Sequence, residues 1–176
     1  TRLKTGSVLV DGMSGSGTLA LEAASIALKV PPNLHRKNWG FDFWNGHQSK
    51  VYQAEMARAE SEQLNTLMNP IFAQDKDHGC IQMIRVNARN RQLKGIESRC
   101  SNFLYNDPPS STTGLIVMNP PYGERLEDEE ASLELYADIG DTLKKHYQDW
   151  DAFLLCPTKQ HRHQVHLRHY HRTDVF

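Results

Sequence analysis

The chain has 176 residues, 39% of them apolar, with 20 Lys and Arg against 21 Asp and Glu for a formal charge of -1. Such a length and composition predict one globular domain with a continuous core, and the charge balance argues against a domain that grips nucleic acid by bulk electrostatics, so any RNA affinity is expected to be local or supplied elsewhere. No apolar run approaches the roughly 20 residues of a membrane helix and no secretory signal opens the chain, so no membrane association and a cytoplasmic location are expected.

Val8-Leu9-Val10 is a short apolar run ending at Asp11, followed by a glycine-rich turn and then by Leu19 to Ala24, whose leucines and alanines favour helix. Pro31-Pro32 stops that helix. The stretch 33–47 carries Trp39, Phe41, Phe43 and Trp44 without a clean period and is expected to be an ordered insertion. Ser49 to Met68 reads as helix, Pro70 to Asp75 as a second strand, and Cys80 to Leu93 as a helix closed by Gly95. Leu115 to Met118 is a buried-type strand that must end at Asn119, because the prolines after it cannot continue ladder pairing. Glu130 to Tyr147 reads as helix, Asp151 to Cys156 as strand and Thr158 to Tyr170 as a polar final helix. The alternation predicts an α/β fold with a mainly parallel, doubly wound sheet, whose ligands bind at the carboxyl ends of the strands.

Two motifs sit at such ends. Asp11-Gly12-Met13-Ser14-Gly15-Ser16-Gly17-Thr18 places three glycines between strand and helix, letting the backbone turn sharply and approach a ligand that a Cβ would exclude. The loop lacks the Gly-Lys-Ser/Thr ending of a phosphate-binding loop and the Gly-x-Gly-x-x-Gly spacing of a dinucleotide fingerprint, which disfavours ATP and NAD. On the next strand Asp75, with Asp77 two residues on, offers a carboxylate to the ribose hydroxyls of an adenosine.

Asn119-Pro120-Pro121-Tyr122 makes the backbone rigid just past a buried strand, so the Asn119 side-chain carbonyl and the Pro120 carbonyl can both accept hydrogen bonds from an exocyclic amine, with Tyr122 able to stack on its ring. Two acceptors aimed at an aryl amine localise its lone pair and drain developing positive charge. Together the motifs predict transfer of a methyl group from S-adenosylmethionine to an amino nitrogen, a reaction that needs positioning more than a strong base. The acceptors serve any planar amine, leaving guanine, adenine and glutamine open.

The chain resembles a family over about residues 7–156. The resemblance lies in Asp11 to Thr18 followed by Glu22-Ala23-Ala24, in Trp39-Gly40-Phe41 with Trp44 and His47, and in Asn119-Pro120-Pro121-Tyr122-Gly123-Glu124-Arg125-Leu126. These look like the THUMP-associated bacterial 23S ribosomal RNA guanine-N2 methyltransferases. The resemblance implies a Rossmann-like class I methyltransferase domain over 1–176 that makes N2-methylguanine in large-subunit ribosomal RNA. It implies that Asp11, Met13, Gly15, Ser16, Gly17, Thr18, Asp75 or Asp77, Asn102 and Phe103 hold S-adenosylmethionine, and that Asn119 to Tyr122 hold the guanine. Gly12 and Ser14 replace the loop's usual proline and cysteine, and Asn102 stands where the family has an acid that meets the adenine amine. The family's THUMP region, first helix and closing strand hairpin have no counterpart here, so the chain is expected to be a fragment of a longer protein, with RNA delivery by the THUMP region.

Weaker features read mostly as structure. Cys80, Cys100 and Cys156 form no Cys-x-x-Cys pair and are expected to be reduced, mostly buried thiols. Arg85, Arg89, Arg91, Lys94 and Arg99 read as a solvated face able to touch phosphates. His161, His163, His166, His169 and His171 lack a carboxylate or cysteine to complete a metal site, so no metal is expected and the segment reads as a surface that gains charge in acid. The aromatics of 33–47 either pack against the core or stack on an unpaired base. An adenine-N6 or protein-glutamine methyltransferase and a catalytically silent RNA-binding module are the competing readings.

Overall fold

The computed structural model describes residues 8–34, 36, 38–109, 113–123, 128–168 and 171–173. Strands β1 (Val8–Asp11), β2 (Ile71–Asp75), β3 (Ile96–Cys100), β4 (Gly114–Met118) and β5 (Asp151–Leu154) form one sheet in the order β3-β2-β1-β4-β5. Every neighbouring pair is parallel. The chain winds from β1 outward to β3, then returns to lay β4 on the other side of β1. The strand order thus reverses between β1 and β4, the place where an open α/β sheet receives its ligand.

The pleat divides the core. Leu9 points to the face covered by α1 (Thr18–Ala27) and α3 (His78–Asn90), packing with Ala20, Leu21, Ala24, Ile81 and Ile84. Val8 and Val10 point to the other face, where α4 (Glu129–His146) supplies Ile139 and Leu143. With both faces covered, β1 is buried along its length, which is why it reads as an unbroken apolar run. The short helix α5 (Lys159–Gln164) lies against α4.

Several sequence expectations are corrected. β3 was hidden because Ile-Glu-Ser-Arg-Cys is an edge strand paired only to β2, with Glu97 and Arg99 facing solvent. Helix α2 (Ser49–Ser61) stops short of Met68, since the chain turns so that the Leu64 N–H can reach the Leu28 carbonyl at 2.8 Å. Helix α5 ends at Gln164, closed by the left-handed backbone of His166 (φ 51°). The cysteines are free, but none is buried: Cys100 is exposed and the other two are half-exposed. Tyr170 of the expected final helix, His169, and the Glu124-Arg125-Leu126 extension lie outside the described residues.

Among the described residues of the 33–47 stretch, none belongs to either core cluster of the sheet. Trp39 stacks on Phe41 with ring centroids 5.3 Å apart, and Tyr52 of α2 meets Phe41 edge-on at 5.4 Å. This satellite cluster, rather than the main core, shapes the insertion.

Candidate active site

Asp11 ends β1 with its side chain fully buried beneath the glycine loop. Its Oδ2 accepts the Ala20 N–H at 3.2 Å, satisfying a free donor in the first turn of α1, where Gly17 at the N-cap has no side chain to do so. Its Oδ1 has no partner among the described residues. Burial pushes the Asp11 carboxyl up from 3.8 to about 7; the Ala20 N–H and the nearby polar groups of Ser14 and Met13 pull the other way, and the charge of Asp75 adds to the rise.

The loop is tied down from three sides. Ser14 donates its hydroxyl to the Asp11 carbonyl at 3.0 Å and its N–H to the Gln74 carbonyl at 3.0 Å. Asn87 of α3 donates its amide to the Ser16 carbonyl at 3.1 Å. The Gly15 N–H reaches Asp75 Oδ2 at 2.9 Å. The sequence reading missed the roles of Ser14 and Asn87, since one small polar residue and one helix amide carry no signal of their own. Gly17 adopts φ 89°, and a Cβ there would lie 2.8 Å from Ile84. Gly12 is wedged: a Cβ would come within 2.7 Å of both Met118 Sδ and the Phe103 ring. Glycine at position 12 is therefore required by packing rather than merely tolerated. A Cβ on Gly15 would point into open space, and the Ser16 and Thr18 side chains beside it are exposed.

Other expected cofactor residues divide by environment. Asp75 holds both loops, since its Oδ1 accepts the Asp77 N–H at 3.0 Å while Oδ2 holds Gly15. Asp77 caps α3 by accepting the Gly79 N–H at 2.7 Å, which gives it a structural task. Asn102 Oδ1 accepts the Leu104 N–H at 3.1 Å and caps a short 3-10 turn over Phe103–Tyr105. The Phe103 side chain belongs to the core, 1% exposed and stacked on Tyr147 at 5.3 Å, so only its backbone is left to meet a ligand. Met13 is half-buried against the same core cluster.

Across the switch point β4 delivers Asn119. The Leu155 N–H bonds the Met118 carbonyl at 3.0 Å, holding the strand end until Asn119 leaves it. The Pro120 side chain is fully buried, whereas Tyr122 is 40% exposed. Asn119 Oδ1 is buried and has no hydrogen-bond partner among the described residues. An acceptor stranded in this way carries a desolvation cost of about 1–3 kcal/mol that a bound donor removes. Gly12 packs against Met118, the residue before Asn119, so the glycine loop and the Asn119 turn adjoin.

The wall behind the turn is a buried polar brace. Tyr136 of α4 donates its hydroxyl to the Leu155 carbonyl at 2.6 Å. Burial, followed by the neighbouring Cys156 and Tyr122, pushes the Tyr136 phenol well above its ordinary value. His161, edge-on to Tyr136, is held between Ser132 Oγ at 2.9 Å and Thr158 Oγ1 at 2.8 Å. It is thus a core histidine rather than one of the surface side chains expected of this segment. Sequence spacing alone does not distinguish the two.

The fold agrees with what comparisons with known proteins return. The model of the RMKL-like methyltransferase domain matches residues 1–176. The chain belongs to that family. The ribosomal RNA large subunit methyltransferase K/L of Colwellia psychrerythraea is 36% identical over 155 residues, covering 86% of this chain and 22% of that protein. The chain thus spans about a fifth of the length of this curated relative. Among solved structures, a protein of Clostridium difficile 630 provisionally described as a methylase superposes with a TM-score of 0.82 and is 30% identical, covering 94% of this chain and 44% of that one. SMU.472, provisionally described as a methyltransferase and complexed with SAH, also has a TM-score of 0.82 at 24% identity, covering 94% and 44%. The fold is accordingly that of the class I methyltransferases.

Proposed function

We propose that this domain transfers a methyl group from S-adenosylmethionine to the exocyclic N2 amine of a guanine in large-subunit ribosomal RNA. The observation that carries the reading is the stranded Asn119 carbonyl, buried at the carboxyl end of β4 beside the glycine loop.

The residues present fit the cofactor. The loop backbone at Gly15 faces open space without a Cβ, and Ser16 and Thr18 present exposed hydroxyls there. Asp75 keeps acceptor capacity beyond its two backbone bonds, since a carboxylate has about four lone-pair positions. Asn102 and the Phe103 backbone stand at the end of the adjoining strand β3 for the adenine. When bound, S-adenosylmethionine supplies an electrophilic sulfonium methyl.

Asn119 accepts a hydrogen bond from the target amine and holds it in line, while buried Pro120 fixes the turn and Tyr122 offers its exposed ring to the base. As the nitrogen gains the methyl and the methyl's bond to sulfur breaks, the surplus N–H proton would pass to solvent water, eased by the Asn119 acceptor that already polarises it. The guanine assignment rests on the resemblance carried by Trp39-Gly40-Phe41 and by Gly123 to Leu126, and the ribosomal substrate on the named activity of the K/L relative.

The test is incubation with labelled S-adenosylmethionine and unmodified large-subunit ribosomal RNA, followed by nucleoside analysis. Label in N2-methylguanosine is the expected result. Label in N6-methyladenosine, or label only in glutamine when ribosomal protein is supplied in a parallel incubation, would replace the acceptor while keeping the Asn119 chemistry. Binding of RNA with no transfer would make this a silent binding module.

A further inference from the structure

We infer that the Phe43-Trp44 tip of the 33–47 insertion is a stacking platform for an unpaired nucleobase of an RNA strand; this rests on the reading of RNA as the substrate. Phe43 is 89% and Trp44 71% exposed, far more than is normal for rings of that size.

Their exposure is built in. The Asp42 carboxylate accepts the Trp39 N–H at 2.8 Å, the Trp44 N–H reaches the Phe41 carbonyl at 3.1 Å, and the His47 N–H reaches the Trp44 carbonyl at 2.9 Å. These bonds fix a 3-10 turn over Gly40–Phe43, which the stacked Trp39 and Phe41 anchor from within through Tyr52 and His47. The inner aromatics satisfy the fold, and the outer two are left facing water on a rigid backbone. Rigidity lowers the entropy lost on stacking.

The surroundings select the partner. Asn38, Asn45, Gln48 and Lys50 are exposed around the tip, and the Arg36 guanidinium lies 4.7 Å from the Trp39 ring centroid. Over residues 33–50 the sequence holds Arg36, Lys37 and Lys50 against Asp42 alone, a local excess of two positive charges in a chain whose total is -1. A protein-docking patch would be a continuous apolar area of several hundred Å². Isolated rings among amides and cations instead match the mixture that binds single strands, where aromatics take base faces and cations take phosphates.

The test uses the whole chain, a fluorescein-labelled single-stranded oligoribonucleotide of mixed sequence and the same strand in a duplex. A Phe43→Ala/Trp44→Ala variant is expected to lose roughly tenfold or more in affinity for the single strand, with S-adenosylhomocysteine affinity unchanged. A Phe43→Tyr/Trp44→Phe variant, which keeps both rings, is expected to retain RNA binding. Equal single-strand affinity in all three proteins would overturn the inference, as would native binding that favours the duplex or fails altogether. Labelled methyl transfer measured alongside separates the two ideas. Transfer to ribosomal RNA with no aromatic dependence sinks the platform and leaves the proposed activity. Aromatic-dependent strand binding without transfer does the reverse.

Discussion

The Gly15 N–H donates to Asp75 Oδ2 at 2.9 Å, joining the glycine loop after β1 to the end of β2 across sixty residues of sequence. The same carboxylate accepts the Asp77 N–H through Oδ1, so one side chain sets the spacing of the loop and the start of α3. Asp75 therefore shapes the loop proposed to hold the cofactor.

Asp75→Ala removes both bonds and the charge. Hydrogen bonds to a charged group contribute about 1.5–3 kcal/mol each in favourable settings, and Asp75 is only half-buried, so the stability loss is expected near the lower figure. Affinity for S-adenosylhomocysteine by calorimetry should fall at least tenfold. An unchanged affinity would confine Asp75 to loop architecture.

The glycines of the loop should separate stability from binding. Gly12→Ala places a methyl 2.7 Å from Met118 and Phe103, and such overpacking costs typically about 1–3 kcal/mol, read as a lowered denaturation midpoint. Gly15→Ala meets no neighbour and costs only the strain of its positive φ, about 1–2 kcal/mol. It should nonetheless weaken cofactor binding disproportionately, because its methyl enters the open space of the cradle. Equal effects on stability and binding in the two variants would contradict this division.

Asp11 gives the fold a pH dependence of defined sign. Burial in the folded chain pushes its carboxyl up from the ordinary 3.8 to about 7. Between those values the folded chain holds a proton that the unfolded chain has released, so the contribution of Asp11 to stability falls as pH rises through the window and is constant above it. Asp11→Asn cannot ionise. Measured by chemical denaturation, the native chain should lose stability relative to Asp11→Asn between about pH 4 and pH 7. A difference that does not vary with pH would show that the carboxyl is ionised throughout.

The brace behind the Asn119 turn should matter at a distance. Tyr136→Phe leaves the Leu155 carbonyl without its side-chain donor, for an expected loss of about 1 kcal/mol in stability. Thermal melts check this; no change would mean that water replaces the hydroxyl without cost.

Much of this site was legible because its chemistry coincides with strong local punctuation. Glycines after an apolar run and prolines after another mark β1 and β4 and their ligand-facing ends without any tertiary information. β3 was not legible, since an edge strand with one half-solvated face has neither the apolar run nor the length of its neighbours. His161 looked like one of several tail histidines; only the packing of α5 on α4 places it between two hydroxyls. Asp77 is offered to a ligand by its place after β2 and Asn102 by the family resemblance, and the cap hydrogen bonds that both also make appear only once the turns they close are known. The requirement for Gly12 likewise depends on Met118 and Phe103, distant in sequence.

The role of the stranded Asn119 carbonyl is tested by methyl transfer with Asn119→Ala. The native chain and the variant are given labelled S-adenosylmethionine and unmodified large-subunit ribosomal RNA, with cofactor affinity measured on the same preparations. Loss of one preorganised acceptor is worth roughly a hundredfold or more in rate, so N2-methylguanosine is expected from the native chain, at least a hundredfold less from the variant, and equal S-adenosylhomocysteine binding from both. Transfer by Asn119→Ala at the native rate would contradict that role.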